Sequence, residues 1–133
     1  MNTSHERLNP DTLPDAGTMG YTQVVVAQPG RMVFVSGQVA WSADDAPVPD
    51  GHGAQAERVA ENLGRALEAA GATSADVVSI RVFVVGLTPE TMQALMPPFM
   101  ALFGGPMPAV TGIGVTSLAS PDLLVEVEAI AVL

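Results

Sequence analysis

The chain has no cysteine. That excludes disulfides, thiolate nucleophiles and metal sites built on Cys. Positive charge is scarce: five Lys plus Arg stand against fourteen Asp plus Glu, a net charge of −9. Such a chain repels phosphate backbones and offers no basic patch, so nucleic acid is not an expected partner. No apolar run reaches the roughly 18 residues that a membrane span needs, so no membrane partner is expected. The two histidines, His5 and His52, fall in polar segments. They give too few ligands for a zinc site, and neither lies near a rigid element that would pair it with a serine, so no metal is expected. No P-loop is present. Gly112-Ile113-Gly114 lacks the third glycine and the following helix of a dinucleotide fingerprint, and no cofactor is expected. The opening Met-Asn-Thr-Ser-His-Glu-Arg has no apolar core of the signal-peptide kind, which sets a cytoplasmic expectation.

Apolar residues are plentiful: 48% of the chain, with a mean hydropathy of +0.35. One domain over 1–133 is expected, with residues 1–20 an extended, turn-rich leader carrying a short edge strand near Arg7 to Asn9. So much apolar residue in so short a chain implies surface buried against copies of itself.

Thr22 to Ala27 and Met32 to Gln38 are β-rich runs around the turn Gln28-Pro29-Gly30, which predicts a hairpin. Val33-Phe34-Val35-Ser36-Gly37-Gln38 ends in small and polar residues, and Gly37 permits close approach to the backbone. Ala56, Val59, Ala60, Leu63, Leu67 and Ala70 define the apolar face of a helix over 54–70, closed by Gly71. Asp76 to Val85 reads as a third strand, with Val78, Ile80, Val82 and Val84 on one face and Ser79, Arg81 and Phe83 on the other. Thr88 caps a second helix with Pro89 at its first position, running to about Phe103, and Pro97 and Pro98 should kink or split it. Ala109 to Ser117 is a fourth strand. The order gives an α+β layer with two helices on one sheet face and the other face left uncovered.

The last strand, Leu123 to Leu133, is the longest apolar run, yet it carries Glu126 and Glu128 on one face. A carboxylate in a buried strand is costly unless paired or kept wet. That face is therefore open, or something waits there for a carboxylate.

Three blocks together resemble the RidA (YjgF-type) family: Gly20-Tyr21-Thr22-Gln23, Val33 through Gln38, and Met107-Pro108-Ala109 through Val125-Glu126-Val127-Glu128-Ala129-Ile130-Ala131. Asn62-Leu63, Ala70-Gly71 and Asp76-Val77-Val78 fall between them in the expected order. The resemblance covers about Arg7 to Val132. It implies a chorismate-mutase-like fold, a homotrimer with inward-facing sheets, and small-molecule clefts between subunits. The family's best-known activity is hydrolysis of enamines and imines derived from amino acids. There an Arg directly after the Pro-Ala pair clamps the substrate carboxylate. Here that place holds Val110, and the family's Asn of the second helix corresponds to Met96. By the same resemblance, Glu126 is the catalytic carboxylate, positioned to handle a proton or a water. Tyr21, Ser36, Gly37, Val110, Thr111 and Gly112 line the ligand site, and Glu128 is structural.

Two functions follow. One is hydrolysis of an imine or enamine that lacks the usual carboxylate. The other is non-catalytic binding of a small apolar metabolite, or a specialised biosynthetic role. A ribonuclease, an activity sometimes attached to this family, conflicts with the net charge. Arg81 has two readings: a replacement cation for the cleft, or an ion pair with Glu126 or Glu128.

Overall fold

The computed structural model describes residues 5–133. Its elements are β1 (Glu6–Leu8), β2 (Val24–Val26), β3 (Met32–Gln38), α1 (His52–Ala69), a short 3₁₀ turn (Ser74–Asp76), β4 (Val77–Val85), α2 (Pro89–Phe103), β5 (Ala109–Val115) and β6 (Val125–Val132). The main sheet runs β3-β6-β4-β5. β6 is antiparallel to both neighbours, whereas β4 and β5 are parallel. A parallel pair requires a crossover, and α2 supplies it. The result is a mixed sheet with two helices, as the element order implies.

The expected hairpin of the second and third strands does not form. β2 pairs with β1 instead, Arg7 opposite Val25, in a separate two-stranded sheet. His5 explains part of this arrangement. It is buried, bonded through Nε2 to the Val132 carbonyl at 3.2 Å and accepting at Nδ1 from the Gln28 amide at 3.0 Å. A histidine expected in a loose leader thus ties that leader to the end of β6. Residues 1–4 of the leader lie outside the described residues.

The helices share one face of the sheet. Val35, Ile80, Val82, Val84, Val125, Val127, Ala129 and Ala131 pack there against Val59, Leu63 and Leu67 of α1 and Leu95, Phe99 and Phe103 of α2. In β4 a register shift between Val77 and Ser79 breaks the strict alternation. Val77 therefore takes the core position that the pattern assigns to Val78, which is only half-buried.

Helix α1 ends as expected. Gly71 has φ +74, and the Ala72 amide donates to Leu67 O at 2.9 Å. Only a residue tolerant of the left-handed region closes a helix this way. Helix α2 also starts as expected, the Thr88 hydroxyl accepting from the Thr91 amide at 3.1 Å. Pro97 and Pro98 do not split it; the helix is continuous to Phe103. Their missing N–H groups leave the carbonyls of Gln93 and Ala94 without helical donors. Gly53 of α1 lies against the Ala94 carbonyl, where a Cβ would come within 3.2 Å.

Candidate functional site

Among the described residues, no helix covers the opposite sheet face. Phe34, 70% exposed, Arg81, Glu128 and Ile130 face outward there. Glu128 lies opposite Arg81 in the β4–β6 ladder, and the two side chains pair at 3.2 Å. The pair is well exposed, so its worth is below about 1 kcal/mol. Of the two carboxylates expected for an ion pair, Arg81 takes Glu128 and not Glu126. Arg81 and Glu128 border a groove of about 390 Å³ that also takes in Phe34, Ser36 and Ser79.

Glu126 stands apart. It lies opposite Phe83 in the ladder, half-buried, and among the described residues no hydrogen bond or ion pair holds it. Its carboxylate sits over Gly37: a Cβ built there would lie 2.5 Å from Oε1 and 2.6 Å from Cδ. The ladder between β3 and β6 shifts register between Val35 and Gln38, so Gly37 falls at the irregularity. Strand bulges of this sort re-aim side chains. Glu126 and Gly37 line a pocket of about 340 Å³ with Trp41, Asn62 and Ala119. Ser36 does not join them; it faces the neighbouring groove.

Helix α1 pins the loop that carries Trp41. Asn62 Nδ2 donates to Val39 O at 2.9 Å and to Trp41 O at 2.7 Å. Arg58 donates to Pro47 O at 2.9 Å and to Ala40 O at 3.4 Å. Farther along, the Ser42 hydroxyl and the Ala46 amide hold the exposed Asp44 carboxyl below its ordinary range. From the other side, Gln55, 1% exposed, donates to Asp122 O at 2.7 Å and accepts from the Leu124 amide at 2.8 Å. The entry to β6, two residues before Glu126, is thereby fixed. Sequence reasoning missed Trp41 as a pocket wall and Gln55 as a brace. A buried Gln inside a helical repeat gives a signal only by interrupting the apolar face.

The remaining candidates gather elsewhere. In the parallel ladder Val110 lies beside Ile80 and Gly112 beside Val82, both core residues, so these two face the helices. Val110 packs against the core, as do Met92 and Met96. A Cβ on Gly112 would meet the Met92 methyl at 2.7 Å. Thr111 lies beside Arg81 on the open face, turned away from Val110. Tyr21 is held at the start of β5 through its neighbour Thr22, whose amide donates to Pro108 O at 3.2 Å and whose hydroxyl donates to Met107 O at 2.5 Å. Gln23 Nε2 donates to the Tyr21 hydroxyl at 3.3 Å.

Within one chain these two groups do not meet. Val110 is level with Ala129, three residues from Glu126 along the strand and two strands across. That is roughly 14 Å, and on opposite faces of the sheet.

The architecture has known counterparts. The family model described as endoribonuclease L-PSP matches residues 14–133. The chain belongs to this family, the RidA (YjgF) type. It is 34% identical to the 2-iminobutanoate/2-iminopropanoate deaminase of Escherichia coli over 104 residues, 77% of this chain and 80% of that protein. It is 32% identical to a RutC family protein of Pyrococcus abyssi over 112 residues, 84% of each. Among solved structures, the conserved Rid family protein YyfB of Yersinia pestis superposes with a TM-score of 0.90 at 37% identity, covering 98% of this chain and all of that one.

Among the described residues, no cluster of three His, Asp or Glu that could hold a metal ion is found, and no helix is long and apolar enough to cross a membrane.

Proposed function

We propose that this RidA-type protein is a cytoplasmic homotrimer of single-domain chains that hydrolyses an imine or enamine lacking a carboxylate. In this reading the fold is the chorismate-mutase-like one, with the three open sheet faces turned inward. The separation of the two residue groups supports assembly. Glu126 and Gly37 from one chain would lie against the β5 edge of the next, where Tyr21, Val110 and Gly112 sit, so each cleft would need two copies. The outward-facing Phe34 supports the same arrangement, since assembly removes it from water.

The observation that carries the substrate reading is the placement of positive charge. The chain has no lysine, and its five cations are arginines. Arg7 donates to the carbonyls of Met107 and Ala75, Arg58 to those of Pro47 and Ala40, Arg65 pairs with Glu61, and Arg81 pairs with Glu128. Arg31 precedes β3, at the end of the strand away from Gly37. None stands at Val110, which by the family resemblance is where an Arg clamps the carboxylate, and Arg81, diagonal to Glu126 on the open face, is paired with Glu128. A substrate carboxylate would then meet Val110 where the family places an Arg, and the cation of the open face, Arg81, is already paired with Glu128. A neutral or cationic imine needs no such cation.

Glu126 is the proposed catalytic residue. Its carboxylate takes a proton from a water as that water's oxygen bonds to the imine carbon and the C=N pair moves to nitrogen. The proton then passes to the nitrogen, giving a carbinolamine; Glu126 next takes the carbinolamine's hydroxyl proton and delivers it to the amine as the C–N bond breaks and C=O forms, so that a carbonyl compound and ammonia leave. Ser36 and Thr111, on the open face, would contribute to the cleft only across a subunit boundary.

Non-catalytic binding of an apolar metabolite is the second reading, favoured by the apolar surroundings of Val110, Met92 and Met96. The endoribonuclease description of the family is disfavoured by the net charge of −9. Ammonia release from aldimines generated in situ by an amine oxidase separates the two readings. The trimer should accelerate release, and Glu126→Gln should remove the acceleration. A folded trimer inert on every aldimine leaves only the binder.

A further inference from the structure

We propose that Trp41 and Glu126 together recognise a cationic nitrogen on an apolar chain, with Trp41 as the residue that sets this specificity. The inference rests on the reading above only in taking Glu126 as ligand-facing.

Three observations carry it. Trp41 and Glu126 line the same pocket of about 340 Å³. Trp41 is 51% exposed although it is the single tryptophan of the chain, and no hydrogen bond engages its indole among the described residues. Its backbone is nevertheless held firmly, because Asn62 donates to Trp41 O at 2.7 Å and to Val39 O at 2.9 Å. A large aromatic exposed on a pinned loop presents a preset surface. The same pocket holds a half-buried carboxylate, Glu126, while Arg81 is taken by Glu128. An aromatic side chain and an unpaired carboxylate on the walls of one pocket attract a cation through the ring quadrupole and the charge together. Ala119 closes the wall with a methyl group, which suits an apolar tail.

An iminium, R–CH=NH₂⁺, has this chemistry, and so does the ammonium that imitates it. Hydrolysis conserves its charge: R–CH=NH₂⁺ and water give R–CHO and NH₄⁺. The reaction that supplies such a substrate is the two-electron oxidation of a primary amine bearing no carboxylate at the same carbon.

The test uses the intact protein and benzylamine, an ammonium at neutral pH, with benzyl alcohol as its neutral counterpart. Because Trp41 is the single tryptophan, fluorescence excited selectively in the indole band, away from Tyr21, reports on Trp41. Benzylamine should change the fluorescence saturably and bind more tightly than benzyl alcohol. Glu126→Gln should narrow the gap between amine and alcohol to the part that Trp41 supplies. By calorimetry, Trp41→Leu should weaken benzylamine by roughly 3- to 30-fold, and Trp41→Phe should keep most of the affinity. Equal binding of amine and alcohol, absence of saturable binding, or indifference to Glu126→Gln would overturn the proposal. The two readings fail separately. Cation binding that depends on Trp41 and Glu126 without imine hydrolysis upholds this site and removes the enzyme. Imine hydrolysis that Trp41→Leu leaves unchanged removes this site and upholds the enzyme.

Discussion

A Cβ on Gly37 would stand 2.5 Å from Oε1 and 2.9 Å from Cγ of Glu126. The carboxylate occupies the space that any other residue at position 37 would fill. Gly37→Ala should therefore displace Glu126 while leaving the core packing alone. A misplacement of about 1 Å in a catalytic group costs on the order of a hundredfold in rate. Kinetics of imine hydrolysis should show a loss of that size, with an unchanged far-UV circular dichroism spectrum.

Glu126 and Glu128 should behave differently although they share a strand face. Glu128→Gln breaks only the exposed pair with Arg81. Its cost should stay within about 1 kcal/mol in chemical denaturation, as should that of Arg81→Ala. Glu126→Gln removes no pairing and should leave stability unchanged while abolishing turnover. Loss of turnover in Glu128→Gln, with Glu126→Gln active, would reverse the assignment.

The open sheet face should be an interface. Native mass spectrometry should find a species of about three times 13.7 kDa. Phe34→Asp places a charge where an apolar side chain is 70% exposed in the single chain, and it should shift the population towards monomer. A wild-type monomer at micromolar concentration would contradict the two-chain cleft.

Val110→Arg should restore the recognition of a carboxylate. A charge-assisted bidentate contact is worth roughly 1.5–3 kcal/mol, or about 10- to 100-fold. Ammonia release from 2-iminopropanoate should rise by that factor over the wild-type rate. No gain, in a variant that still assembles, would mean that the cleft near Val110 is closed by Met92 and Met96.

Much of the fold was legible because the signals are local. Alternation in β6 put Val125, Val127, Ala129 and Ala131 on one face and Glu126 and Glu128 on the other, and the core agrees. Thr88, Pro89 and Gly71 marked helix ends through their own backbone chemistry. The expected β2–β3 hairpin failed because a turn signal says where the chain can reverse, not which strands pair. Val24–Val26 pairs with Glu6–Leu8 instead, in an arrangement tied to the end of β6 by the buried His5. Val78 lost its core place to Val77 because a register shift in β4 is invisible to simple alternation. The site was partly legible through the resemblance. The grouping of Glu126 with Trp41 and Asn62 was not, because it joins β6, a loop and α1 across large sequence separations. Nor could the sequence tell which of Val110 and Thr111 faces the helices until the register of β5 against β4 was known.

The most direct test of the account is a selectivity ratio. Wild-type protein is given a carboxylate-free aldimine and 2-iminopropanoate, each generated in situ, and kcat/KM for ammonia release is compared. The account predicts that the aldimine is preferred by at least about tenfold, the worth of one unfavourable charged contact, and that Glu126→Gln abolishes both activities. Faster hydrolysis of 2-iminopropanoate, or full activity in Glu126→Gln, would contradict it.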